Sequence, residues 1–501
     1  MLMNLFAKLN DLFPDTMPYK SNVPFIAVIL LGVTLSSCIA TKPYEKPDIA
    51  TENLYPFEQV ELDSTTLADM PWQQVFRDPR LRDLIEEALD HNLELQSAIQ
   101  QIRIAEANFF EGRMSMLPNL SAGADVSYNE QSDNSVNFGE GLDNISIPAS
   151  EQYAVSLSSS WELDVWGKLT SAKKASFAAL LQTEATRRAV QTTLIANVAS
   201  TYYRLLALDK QLEITRQTVE NRRRDVETVR SLKESDMVTG VSLQQSIANR
   251  YAAEVTIPEI EQQITVQEHA LSMLLGRAPG SIERTSLSEQ HPIDSLATGI
   301  PAQLLRNRPD IIAAEYSFRN AFELTNNARA YFYPSFTLTA RGGYQSLQTE
   351  DLFQPGSLFY NLAAGLTQPI FNRGQNRARL KRSKARQKQA LLELRSTILD
   401  ASSEVSNTLS AFQKAEQKLQ LRQNQLEALE HAVEFSRELL QYGEANYTEV
   451  LTTQQQLLSA QISNINDRLQ QLTAGVDLYR ALGGGWEKPA ENQRVQNESR
   501  E

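Results

Sequence analysis

One thiol, four imidazoles and scattered carboxylates are the groups of this 501-residue chain that could do chemistry. Cys38 is the only cysteine, which excludes an internal disulfide and a cysteine-built zinc site. The histidines His91, His269, His291 and His431 lie far apart and share no metal-ligand spacing. Gly483-Gly484-Gly485 follows a helical pattern rather than a strand and lacks the lysine of a phosphate loop. There is no nucleophile elbow. These residues predict a protein that is not an enzyme and carries no metal or cofactor. The one thiol is left as the first group to place.

The residues before Cys38 suggest its use. Val23–Leu35 is apolar but too short for a bilayer span of about 20 residues. It suits the core of a secretory signal, with Lys20 as the positive flank and Met17 an adequate start. Leu35-Ser36-Ser37-Cys38 resembles the bacterial lipobox. That resemblance implies diacylglyceryl attachment at Cys38 and a new acylated N-terminus after cleavage. It makes 1–37 a signal peptide and 38–80 a lipidated N-terminal segment. Ile39 and Ala40 lack the aspartate that retains such lipoproteins in the inner membrane, so the outer membrane is the expected destination.

The rest of the chain is compatible with water. Its hydrophobic fraction of 42% and mean hydropathy of -0.36 exclude a bundle of membrane-spanning helices. A formal net charge of -13 argues against nucleic acid or an anionic membrane as the main partner.

An internal repeat organises the sequence. Leu117-Pro118-Asn119-Leu120 returns as Tyr333-Pro334-Ser335-Phe336 at an offset of 216. Ala88 to Asn92 stands at the same offset from Leu304 to Arg308. Further on, Trp166-Gly167-Lys168 matches Arg373-Gly374-Gln375, and Leu275-Gly276 matches Leu482-Gly483, now at 207. The offset changes once, so the first of two hairpin turns should be about nine residues longer. The predicted repeats are 81–290 and 291–486, each a helix, two strands, a long helix and a return helix. A polar tail, 487–501, is expected to be disordered.

Beyond each proline the apolar residues alternate with period two. They are Leu120, Ala122, Ala124, Val126 and Tyr128, then Tyr153, Val155, Leu157, Trp161, Leu163 and Val165. The second half repeats this with Phe336, Leu338, Ala340 and Tyr344, then Leu358, Tyr360, Leu362, Ala364 and Leu366. This predicts four amphipathic strands of membrane-spanning length. Tyr153, Trp161, Trp166, Tyr344 and Tyr360 suit aromatic girdles.

After the strands, neither Gly nor Pro occurs from Lys168 to Thr239 or from Gln375 to Tyr442. Each stretch predicts a helix of about 100 Å with coiled-coil composition. Each turns, near Asp236–Ser242 and near 443–448, and a return helix ends at glycine. Pro258 should interrupt the first return helix and kink it. Four strands cannot close a barrel, eight would be plugged by side chains, and twelve leave a lumen, so three copies are expected.

The order of elements, with Leu304-Leu305-Arg306-Asn307-Arg308-Pro309-Asp310-Ile311, Leu274 to Pro279, Trp161 to Gly167 and Phe332 to Phe336, resembles the TolC-like outer-membrane factors. It is most similar to their lipoprotein branch, which works with resistance-nodulation-division pumps. The resemblance implies a mostly α protein with a membrane β-barrel. Per protomer it implies four transmembrane strands and long coiled-coil helices, trimerising into a 12-stranded barrel and an α-helical tunnel in the periplasm. It also implies partnership with a periplasmic adaptor and an inner-membrane pump, contact with outer-membrane lipid, and export of small molecules. At the tunnel's inner tip, acids on the return helix ring the pore in relatives. Glu449 matches one such position, Thr452 stands where many relatives carry a second acid, and Ser242 is the uncharged duplicate of Glu449. About three carboxylates would then line the aperture and favour cations. Two alternatives stay open: a duct for protein secretion, and a structural or adhesive coiled-coil surface lipoprotein. The latter does not predict four alternating strands at duplicated positions.

Overall fold

A computed structural model of the chain describes residues 41–48, 67–130, 149–292, 307–442 and 444–486. Cys38, the signal region 1–37 and the tail 487–501 lie outside these residues. The elements follow in the order α1 (Pro79–His91), α2 (Leu93–Met114), β1 (Asn119–Asn129), β2 (Ser150–Leu163), α3 (Lys168–Glu234) and α4 (Gly240–Leu274). Then come α5 (Pro309–Ala330), β3 (Ser335–Ser346), β4 (Leu358–Thr367), α6 (Gln375–Gln441) and α7 (Tyr447–Ala481). None of the described helices is long and apolar enough to cross a membrane.

The repeat is visible in the lengths. Helices α2 and α5 have 22 residues each, α3 and α6 have 67, and α4 and α7 have 35. The β1–β2 connection spans 130–149 and the β3–β4 connection 347–357, nine residues shorter, as the change of offset requires. The chain divides into two compact units, each drawing on both halves. One takes 41–46 with Asn108–Phe177 and Arg319–Lys388; the other takes the remaining described residues.

The first unit is built on an antiparallel sheet in the order β1-β2-β3-β4. Its register puts Ala124 beside Val155, Val155 beside Tyr344 and Tyr344 beside Leu358. Residues directly opposite in a sheet share a face. Within the strands, all four period-two sets therefore fall on one side, interrupted inside only by Ser159 and Gly342. The opposite side carries Ser121, Asp125, Ser156, Ser158, Thr339 and Arg341. There Arg341 lies 3.8 Å from Asp125, and its Nε donates to Ser156 Oγ at 3.2 Å.

Two expectations change here. Val165 and Trp166 lie beyond the end of β2. Trp166 stacks on Tyr333 and donates its indole N–H to the Pro334 carbonyl at 2.7 Å, so it braces the start of the second hairpin instead of decorating a strand. The reason is the turn that follows. Gly167 has φ +72°, and Asp164 accepts from the backbone N–H of Leu169 and Thr170 at 2.9 and 2.7 Å, capping α3. Pro258 does not interrupt α4, which runs unbroken through it. Pro258 is exposed, so the carbonyl it deprives of a donor can turn to water.

The second unit has the larger core. Tyr202, Leu205 and Leu206 of α3, Ile85 of α1, Leu271 of α4 and Leu478 of α7 are buried together. Both return helices end alike. The N–H groups of Gly276 and Arg277 donate to the carbonyls of Met273 and Ser272, and those of Gly483 and Gly484 to Arg480 and Tyr479. This is the Schellman closure, with left-handed φ of +70° at Gly276 and +88° at Gly483. A Cβ on Gly276 would lie 2.3 Å from the His91 carbonyl oxygen, and one on Gly483 2.7 Å from that of Asn307. His91 and Asn307 are themselves 216 residues apart, so one close contact is made twice. Gly483→Ala should lower stability by about 2–4 kcal/mol through strain and overlap. Gly356→Ala, with nothing within 4 Å of the added methyl, should be neutral. Thermal unfolding followed by circular dichroism compares them, and equal midpoints would contradict this reading of Gly483.

Candidate functional site

The turn between α6 and α7 carries the predicted aperture residues. Helix α7 begins at Tyr447, with Asn446 as its cap: Glu449 N–H donates to Asn446 Oδ1 at 3.1 Å. Glu449 is thus the third residue of the helix, where a carboxylate also suits the dipole. Its duplicate is built the same way, Ser242 N–H donating to Thr239 Oγ1 at 3.3 Å. Thr452 is exposed and turns its hydroxyl onto its own helix, to the Thr448 carbonyl at 2.8 Å. Glu449 is exposed and Ser242 half-buried. No hydrogen bond joins Glu449, Thr452 and Ser242 within one chain. Glu449 and Thr452 stand clear of the helices' own packing, as lining residues must.

Beneath the turn lies a polar layer that periodicity alone does not announce. Val219, Arg222, Val226 and Val229 are buried at spacings of three and four along α3, so an arginine occupies a seam position. Arg222 Nη1 donates to Gln454 Oε1 of α7 at 2.5 Å. Burial lowers the pKa of its guanidinium. Tyr447 is buried in the field of Asp225 and Arg222, and burial raises its phenol pKa. Arg437 of α6 approaches Asp225 to 3.8 Å, and the hydroxyls of Ser436 and Thr453 are 3.1 Å apart. The signal for this layer was available at Arg222, a cation breaking an otherwise valine seam. Farther along α7, the buried Asp467 takes Lys418 Nζ and Arg422 Nε, each at 2.8 Å.

The outer surfaces are the second feature of the site. Strand β1 is exposed along its whole length, and Tyr360, Leu362 and Leu366 of β4 are exposed on the apolar side of the sheet. In one chain both strands are edges, each with an outer row of backbone groups facing no other described strand. Within the helical unit, Leu392, Leu399, Leu421, Phe435 and Leu439 of α6 are exposed and fall within one narrow stripe at the helical period of 3.6 residues. Val241, Tyr251, Val255, Val266 and Met273 form a similar exposed stripe on α4. Among the described residues there is no cluster of metal-ligating side chains.

Known proteins share this arrangement. The profile described as Outer membrane efflux protein matches residues 84–277 and 300–484. The chain is 30% identical over 461 residues to the probable outer membrane lipoprotein SilC of Salmonella typhimurium, covering 90% of this chain and 96% of that one. It is 32% identical over 426 residues to the pyoverdine export outer membrane protein OpmQ of Pseudomonas putida, covering 84% and 89%. Among solved structures, the open state of the MtrE outer membrane channel of Neisseria gonorrhoeae aligns with a TM-score of 0.79 at 26% identity, over 89% of this chain and 98% of that one.

Asp467 gives a pH-dependent test of the α6–α7 pairing. Burial works to raise its pKa, but Lys418 and Arg422 outweigh this and hold the carboxyl below its ordinary value. A carboxyl depressed on folding contributes stability that is full above the unfolded pKa of about 4 and is lost as pH falls through the folded value. Asp467→Asn should therefore cost about 1–3 kcal/mol at pH 7 and less in acid. Hydrogen exchange over 415–425 and 464–470 reads this out, and protection unchanged at pH 7 would remove Asp467 from the account.

Proposed function

The chain belongs to the outer membrane efflux protein family, and from that premise we propose that three copies close into one duct through which small molecules leave the cell. The observation that carries this reading is the open, two-faced sheet. A sheet with one apolar and one polar exposed face suits the wall of a barrel between lipid and water. Its edges cannot stay unpaired in hydrocarbon, where every backbone polar group must be satisfied. Pairing β4 of one copy with β1 of the next satisfies both, and three copies give twelve strands, enough for a lumen. The exposed stripes on α4 and α6 support the same head-to-tail contact, since two different surfaces of one chain that fit each other generate a ring.

The helices then form the periplasmic part of the duct, and the α6–α7 turns its inner aperture. Glu449 supplies about three carboxylates, Thr452 one turn on adds none, and Ser242 leaves the alternate positions uncharged. A periplasmic adaptor and an inner-membrane pump engage this end and provide the energy, so the duct itself catalyses nothing. The relative named for pyoverdine export supports a small-molecule cargo. Cys38 carries the lipid that tethers the chain at the membrane the barrel crosses; residues 1–37 are its signal peptide, and 487–501 a polar tail.

Two measurements test this. The detergent-extracted protein should have the native mass of three copies and conduct cations preferentially in a planar bilayer, and Glu449→Gln should weaken both that preference and block by multivalent cations. Unchanged selectivity would place Glu449 outside the aperture. Cys38→Ser should abolish incorporation of labelled fatty acid while leaving part of the assembly intact, because the barrel has its own affinity for the membrane. Labelling that persists in Cys38→Ser would refute the lipid anchor.

A further inference from the structure

The start of α6 carries a charge pattern of which the fold uses one member, Arg379, whose guanidinium lies 3.7 Å from the centre of the Tyr331 ring. Eight arginines and lysines lie between positions 373 and 388, and no acid occurs from 352 to 392, in a chain of net charge -13. Arg377, Lys381, Lys384 and Lys388 follow one another at intervals of four, three and four, so they share one face of the helix, and all four are exposed. Among the described residues, none of the eight cations is ion-paired with an acid.

Helix stability does not explain the pattern. Cations in the first turns oppose the helix dipole, and like charges four apart repel. The duplicated helix supplies an internal control: the equivalents of these four positions on α3 are Thr170, Lys174, Phe177 and Leu181. The same architecture thus forms with one cation where α6 has four. A second copy does not neutralise them either. In the ring proposed above, the helix reaching this level from the neighbour is the end of α2, leading into its β1. There Asn108–Met114 contains one acid, Glu111, and one base, Arg113, which cancel.

Position points to the counter-charge. Leu366 closes the apolar face of β4, and Ile370 and Phe371 follow it, 91% and 85% exposed. Arg373 and Arg377 come next, then Lys381. Strand, exposed apolar pair and cations follow one another in the order of hydrocarbon, interface and headgroup layers of a membrane. We propose that the basic face opening α6, together with Ile370 and Phe371, binds the phosphate headgroups of anionic phospholipids at the inner rim of the membrane-spanning sheet. This rests on the reading that the sheet crosses the membrane. It fixes the depth of the sheet from below, as the aromatic residues do within it. The local surplus is hidden in the overall charge, because acids elsewhere outnumber it.

The test uses the full-length protein in detergent micelles, offered phosphatidylglycerol or phosphatidylethanolamine of matched acyl chains, with bound lipid counted by native mass spectrometry. The unaltered protein should prefer phosphatidylglycerol, less so in high salt. The preference should fall about fivefold for each charge removed in Arg377→Gln and Lys381→Gln, singly and together. It should survive Arg377→Lys with Lys381→Arg. A preference unchanged in the doubly neutral variant overturns the proposal. So does full displacement of the lipid by inorganic phosphate, which would mean a site for any free anion. Loss of the trimer in that variant with lipid preference intact would place the cations against a neighbouring copy instead. Protein that inserts and conducts but shows no lipid preference defeats this inference alone, whereas protein that never enters a bilayer defeats the membrane reading beneath it.

Discussion

A backbone amide or carbonyl in hydrocarbon must find its partner within the protein, and the rest of this structure depends on that constraint. The sheet of one chain satisfies it for β2 and β3 and leaves the outer rows of β1 and β4 open. An edge of ten or more residues in water would invite aggregation. Here it specifies assembly instead, because the outward apolar face allows the chain to settle only where a neighbour completes the pairing. The helical unit repeats the device with side chains. Its core is full around Tyr202 and Leu271, yet α4 and α6 keep apolar stripes turned outward. Folding of one copy therefore leaves two unsatisfied surfaces, one of backbone and one of side chains.

Duplication makes this economical. The lengths of the three helix pairs, the caps of α4 and α7 and the glycine closures return with the same geometry in both halves, down to the pressure of Gly276 on His91 and of Gly483 on Asn307. Differences between the halves are then informative, since the shared fold cannot demand them. Glu449 against Ser242 is one such difference. The opening of α6, with eight cations over 373–388, against that of α3, with three lysines over 166–181, is another. In the duct proposed above, the second half would carry the carboxylates of the aperture and most of the cations of the rim, on a fold that the first half forms without them.

Much of this could be read in the sequence, for physical reasons that differ by element. The strands announced themselves because alternation with period two over ten residues matches an extended chain with two unlike faces and no helix. The register then carries the predicted apolar residues of all four strands to one face, Val165 alone lying beyond the strands. The long helices were visible as stretches free of Gly and Pro. Trp166 misled because an aromatic near a strand end looks like a girdle residue, and only the fold reveals the Pro334 carbonyl it serves. Pro258 misled because its cost depends on whether the freed carbonyl meets water. The layer of Arg222, Asp225 and Tyr447 was obscured because periodicity registers apolar residues and passes over a buried charge. Which apolar stripe packs within the chain and which faces outward is a property of packing, and both recur at helical spacing. Net charge, finally, averaged a local run of eight cations into an acidic whole.

The central claim is that the open edges of the sheet are closed by identical neighbours. Hydrogen exchange of the intact protein in detergent tests it most directly, strand by strand. If copies pair edge to edge, the amides of β1 and β4 should exchange as slowly as those of β2 and β3. Fast exchange confined to β1 and β4, with β2 and β3 protected, would mean that the edges are free and that no barrel forms.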